Sequence, residues 1–220
     1  RPHTLSIAGH EHFHSHRFLT DKAGWHGVRP LHNIVNATAC GCWWSGLPDN
    51  RGIPHTLMPC GAPNGYLMIT FDNHNYATRY KVANQSADYQ MNIHLPEQVN
   101  CSELGNVKLL VNVFNGSEKS SVEYRLGTDG PWHPMDFSPQ PDPAVRRIHE
   151  AEKSLREKLI RQGEDPNKVF QNISAPSWSW HIWQAKLPAN LPAGTHRITI
   201  RATDMHGQID RAYRLFRVVD

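Results

Sequence analysis

Four histidines at alternate positions raise the first question of chemistry. Gly9-His10-Glu11-His12 follows a short apolar stretch, and His14 and His16 continue the alternation. Imidazole suits Zn, Mn and Fe at neutral pH. In an extended segment, residues at i and i+2 project to one side, so two to four imidazoles would share a face. The glycine ahead of them lets the chain turn sharply out of a strand. A solvated, His-rich loop is the competing reading of the same residues. The second feature is Gly41-Cys42-Trp43-Trp44-Ser45-Gly46. On a strand, Trp43 and Trp44 would face opposite ways, one into the core and the other free to wall a substrate cleft. Trp178, Trp180 and Trp183 read as core and interdomain packing rather than as a carbohydrate platform.

The elements that must position these residues follow from periodicity and turn chemistry. Residues 4–8 alternate and end at Gly9, which predicts a buried strand. Residues 10–32 read as a long polar loop and 33–40 as a strand. Segments 65–72 and 75–82 alternate around Asp72-Asn73-His74-Asn75, a β-hairpin pattern. After a short strand at 89–93 and a connector at 94–105, the texture changes. Strands are expected at 107–114, 121–126, 132–137, 178–187, 194–203 and 208–219. A helix is expected over 143–162, with Val145, Ile148, Ala151, Leu155 and Leu159 on one face. The fold class is therefore mainly β (α+β), and the second half suggests an immunoglobulin-like or fibronectin-like β-sandwich with one inserted helix. The expected domains are 1–94 and 95–220.

Composition narrows the function. The chain has 220 residues, with 23 basic and 20 acidic side chains and a formal charge of +3. That balance does not indicate a nucleic-acid partner. No run approaches ~18 uninterrupted apolar residues, so no membrane span is expected. The four cysteines include no Cys-x-x-Cys pair, which argues for free thiols rather than a structural zinc site. Asp72-Asn73-His74 and Asp204-Met205-His206-Gly207 spell Asp-x-His, but Asp and Gly there read as turn residues.

The order strand, Gly-His-Glu-His, strand, Gly41-Cys42-Trp43-Trp44-Ser45-Gly46 resembles the C-terminal end of calcineurin-like metallophosphoesterases, whose last metal motif is Gly-His-x-His. Arg17-Phe18-Leu19-Thr20, Arg51-Gly52-Ile53-Pro54, Pro63-Asn64-Gly65-Tyr66 and Ala87-Asp88-Tyr89-Gln90-Met91 are similar to a subgroup with its own appended β domain. Asn112-Val113-Phe114-Asn115-Gly116-Ser117 and Thr203-Asp204-Met205-His206-Gly207 resemble that appended domain. The resemblance implies C-terminal strands of the α/β phosphoesterase domain followed by the sandwich. It implies that His10 and His12 are metal ligands in a site for two divalent ions (Mn, Fe or Zn), with His12 also near the substrate phosphate and so catalytic. The reaction implied is hydrolysis of a phosphomonoester or phosphodiester. The family's other ligands, including a bridging carboxylate, precede Gly-His-x-His, and only nine residues precede His10 here. The expected partner is thus the upstream part of the same domain. This chain alone is expected to hold no ion tightly and to be inactive. Glu11 is expected to face solvent. A periplasmic or secreted location is favoured by the appended sandwich. The alternative is a stand-alone β-sandwich module that binds a glycan or protein, with incidental metal binding by the histidines.

Overall fold

The computed structural model describes residues 4–36, 38–50 and 52–220. Arg51, one residue of the family resemblance, lies outside them. The chain divides into two compact units, each made from two stretches of sequence: residues 1–85 with 140–179, and residues 86–139 with 180–220.

The first unit holds β1 (Leu5–Ala8), β2 (Ser15–Leu19), β3 (Leu31–Val35), β4 (Gly65–Asp72) and β5 (Asn75–Val82). β3 runs parallel to β1 and antiparallel to β2 in a three-stranded sheet. β4 and β5 form the expected hairpin, closing at the Asp72–Asn75 pair. Asn73 takes the left-handed conformation that this tight turn needs, at φ +53°, which Asn tolerates better than most residues.

The second unit opens with β6 (Met91–His94), β7 (Gln98–Asn100), β8 (Lys108–Val113), β9 (Ser121–Leu126), β10 (His133–Pro134) and β11 (Asp136–Phe137). The chain then leaves it for β12 (Gln140–Pro141), α1 (Pro143–Arg161) and β13 (Trp178–Ser179), which belong to the first unit. It returns for β14 (Ile182–Lys186), β15 (Gly194–Thr203) and β16 (Ile209–Val219). Two sheets result, in the orders β10-β9-β15-β16-β7 and β11-β14-β8-β6. Alternate residues of both sheets enter one core, among them Leu109, Val111, Trp183, Ile198, Ile200 and Phe216. The unit is a two-layer β-sandwich, and the chain as a whole is mainly β with one long helix. The Asp204 turn behaves as its residues suggest. Its Oδ1 accepts from the backbone N–H groups of His206 and Gln208, both at 2.8 Å.

The helix α1 starts where Asp142 caps it. One carboxylate oxygen accepts from Ala144 N–H (2.7 Å) and Val145 N–H (3.2 Å), and Pro143 fits the first turn because it lacks an N–H that would need a partner. The chain leaves the helix through Gly163 at φ +77°.

Several expectations are corrected. The strand near residues 4–8 exists but is not buried: Ile7 is 52% exposed. Among the described residues β1 pairs with β3 alone, at the edge of its sheet. The stretch 10–32 is not one loop, because Ser15–Leu19 pairs with β3. The buried line of α1 is Val145, Glu152 and Leu159, with Ala151 exposed and a carboxylate in its place. The units also differ from a boundary at 94/95. The break falls at 85/86, and the helical segment groups with the first unit rather than with the sandwich.

Candidate metal-ligand turn

The local sequence 38–46 folds as a series of turns rather than as a strand. Thr38 starts it: its hydroxyl donates to Gly41 O at 2.8 Å, and its carbonyl accepts from Gly41 N–H at 3.1 Å. Gly41 sits at φ +55°, and a Cβ there would lie 1.6 Å from the Thr56 carbonyl oxygen. Only glycine allows this approach. Asn64 Nδ2 donates to Ala39 O (3.0 Å), and Thr56 donates to Asn64 Oδ1 (3.0 Å), which ties the turn to the base of the hairpin.

The consequence is that Trp43 and Trp44 do not alternate across a strand. Both take left-handed backbone angles, φ +60° and +56°. Both are exposed, at 65% and 53%. Neither is core, because consecutive left-handed residues project their side chains out of the turn instead of to opposite faces of a sheet.

His10 and His12 share this conformation, at φ +81° and +50°. A left-handed non-glycine residue costs roughly 1–2 kcal/mol, and such strain persists where the surroundings hold it. His12 is held in two ways. Its ring stacks on Trp43 with centroids 4.0 Å apart and 13° between planes. Its Nδ1 lies 2.8 Å from Gly41 O. A carbonyl can only accept, so Nδ1 carries a proton, and in the neutral ring Nε2 keeps its lone pair. This is the tautomer and orientation of an Nε2 metal ligand with a backbone carbonyl behind it. His10 and Glu11 are exposed.

His14 and His16 do not join His10 and His12 on a common face. They are buried, with Nε2 atoms 3.2 Å apart. His16 Nδ1 is 2.9 Å from His32 Nε2, and His32 Nδ1 is 2.5 Å from the Tyr76 hydroxyl. Burial raises the Tyr76 pKa, so its hydroxyl stays protonated at neutral pH. Three imidazoles and a phenol thus form one internal line of hydrogen bonds from β2 through β3 to β5. His32 was not singled out from sequence. Its spacing from His16 becomes informative only once β2 and β3 are known to pair. Among the described residues, no group of three or more His, Cys, Asp or Glu is placed to hold a metal.

The back of the turn is strapped by the segment carrying α1. Glu152, fully buried, accepts from Leu47 N–H (3.0 Å) with one oxygen and from Ile173 N–H (2.9 Å) with the other. Gly46 N–H donates to Gln171 O, and Ser174 N–H donates to Cys42 Sγ at 3.1 Å. All four cysteines are free. Cys60 is buried, its sulfur accepts from His14 N–H, and burial pushes its pKa up to about 11.

The chain thus consists of a β-sandwich unit and a unit that presents a strained histidine–tryptophan turn. The family described as C terminal of calcineurin-like phosphoesterase matches residues 32–209. The chain belongs to that family. Trp43 and Trp44 lie inside the matched range, and His10 and His12 lie just ahead of it. The wider calcineurin-like phosphoesterase family generally uses divalent metals. No curated protein matches the chain.

Proposed function

We propose that this chain supplies the final metal-ligand turn of a metal-dependent phosphoesterase that hydrolyses phosphomonoesters or phosphodiesters. The observation that carries the reading is the His12 Nδ1–H bond to Gly41 O, with the ring stacked on Trp43. It fixes the direction of Nε2, whose lone pair is free in the neutral ring. The donor set fits a metal only in part. Two imidazoles are available in His10 and His12, with no carboxylate grouped beside them among the described residues. The remaining ligands are assigned to the upstream part of the same phosphoesterase domain. Two divalent ions in such a site would clamp the phosphoryl group and lower the pKa of a bound water. The residues of this chain orient and shield: Gly41 fixes the His12 tautomer, Trp43 fixes its plane, and the exposed Trp43 and Trp44 rings wall the substrate side.

The sandwich is assigned to the immunoglobulin-like class. Its strand orders, with the first strand β6 beside β8, β14 and β11, and with β7 parallel to β16, support that assignment.

The test has two parts. Elemental mass spectrometry after incubation with Mn, Fe and Zn and desalting is expected to find less than one ion per chain in this 220-residue protein. About two retained ions would overturn the shared site. In a phosphoesterase carrying this chain, His12→Ala is expected to lower turnover by more than about 100-fold, beyond the effect of losing an outer partner of a ligand. Unchanged turnover would refute the role of His12.

A further inference from the structure

We propose that the outer face of the five-stranded sheet binds a sulfated polysaccharide, with one sulfate seated between Thr199 and Arg125. This inference concerns the sandwich alone and does not depend on the phosphoesterase reading.

Strand alternation sends Ile198, Ile200 and Phe216 inward, so their neighbours point outward. The outward positions of β9, β15 and β16 carry Arg125, Arg197, Arg201, Arg211 and Arg217 against one carboxylate, Glu123. Glu123 pairs with Arg201 at 2.7 Å. Thr199 lies at the centre of this face, in register with Arg125 on one side and Tyr213 on the other. Although outward, Thr199 is only 5% exposed, and its hydroxyl oxygen has no hydrogen-bond partner among the described residues. The Nε of Arg125 is likewise buried without a partner. Two donors on neighbouring strands therefore lack an acceptor, and buried polar groups left unpaired are costly. Directly opposed side chains start about 5 Å apart, so both donors address the same point between the two strands.

The surroundings select the occupant. Arg125 and Arg201 lie over the Trp132 ring at 4.8 and 4.3 Å, and Arg197 over Tyr213 at 4.2 Å. The rings thus hold the guanidinium groups of Arg125 and Arg197 at the sheet surface, where they can bond an oxyanion, while Arg201 is engaged by Glu123. Trp132 is covered by two guanidinium groups and is no open platform for a nucleobase, which argues against single-stranded nucleic acid. Arg211 to Arg217 spans six residues of strand, about 20 Å. Arginines spaced over that length, with exposed Tyr213 and Leu215 between them, match a polymer with repeated oxyanions better than a single phosphorylated side chain.

The experiment is titration calorimetry of the 220-residue chain with heparin at 50 and 150 mM salt. Saturable binding that weakens with salt is expected. Thr199→Val removes the hydroxyl without changing charge, and should weaken binding about 10-fold with the same salt slope. Thr199→Ser should retain affinity. An Arg197→Ala/Arg211→Ala variant should lower the salt slope. An unsulfated uronate polymer, a dT20 oligonucleotide and phosphatidylserine vesicles serve as comparison arms. No heparin binding at 50 mM salt, equal binding to any comparison arm, or full affinity in Thr199→Val with its fold intact by circular dichroism would overturn the proposal.

Discussion

Glu152 offers the sharpest quantitative test of how the candidate site is held. Its carboxylate is fully buried, and each oxygen accepts one backbone N–H, from Leu47 and from Ile173. A hydrogen bond to a charged group contributes about 1.5–3 kcal/mol, and an orphaned buried N–H costs a similar amount. Glu152→Ala removes both acceptors, leaving two buried donors and a small cavity. The expected loss is about 3–5 kcal/mol, a large share of a typical domain's stability. Glu152→Gln keeps one carbonyl oxygen but turns an NH2 group toward the other N–H. It should lose about 2 kcal/mol. The assay is urea denaturation followed at 222 nm, where α1 dominates and so reports the unit that contains it. Near-ultraviolet circular dichroism, to which Trp43 and Trp44 of the turn contribute among seven tryptophans, follows tertiary packing in the same samples. A loss below about 1 kcal/mol in Glu152→Ala, or equal losses in both variants, would refute the two-acceptor account.

Gly41→Ala should be more damaging than a surface substitution of that size, by about 2–5 kcal/mol from left-handed strain and the collision with Thr56 O. It should also release His12; a wild-type melting temperature would contradict this. Alkaline pH should destabilise the chain through Cys60. Its folded-state pKa lies near 11 against a usual value of 9.0, so the unfolded chain loses its proton first. The contribution is fully present below about pH 9 and falls away up to about pH 11, by about 3 kcal/mol. Burial of Tyr80 acts in the same direction. Urea midpoints from pH 8 to 11 should therefore fall less steeply in Cys60→Ala than in the natural chain, and parallel curves would exclude the thiol as the source.

The parts of the fold that depend on local periodicity were readable from sequence. The hairpin at 65–82, the strands from 107 to 126 and from 194 to 219, and the helix near 143–162 all sit where alternation or helical spacing places them. The parts that failed depend on partners distant in sequence. Ser15–Leu19 reads as polar loop because His16 and Arg17 are polar, yet pairing with β3 makes it a strand and buries His16. Glu152 gives no sign of being buried until its two backbone donors, 105 and 21 residues away, are known. The sequence places a strand at 33–40, whereas β3 ends at Val35 and residues 38–46 form turns. Gly41 is squeezed against Thr56 in those turns. The family resemblance pointed to His10 and His12, whereas the restraint on His12 by Gly41 and Trp43 is visible only in three dimensions.

The excursion of residues 140–179 has a consequence for synthesis and dissection. Each unit is closed only by residues that follow the other's first stretch. A single cut or a simple truncation at 85, 139 or 179 therefore leaves at least one unit missing strands. On the ribosome, β8 must wait for β14 across roughly seventy residues of intervening chain, and during that wait the helix and the strap behind the histidine turn emerge first. Completion of the sandwich is thus gated behind delivery of Glu152. Chain order makes the sandwich a checkpoint that a protease could read: a nascent molecule lacking residues past 186 exposes unpaired sandwich edges, even though residues 1–85 and 140–179 of the histidine-bearing unit have already been made.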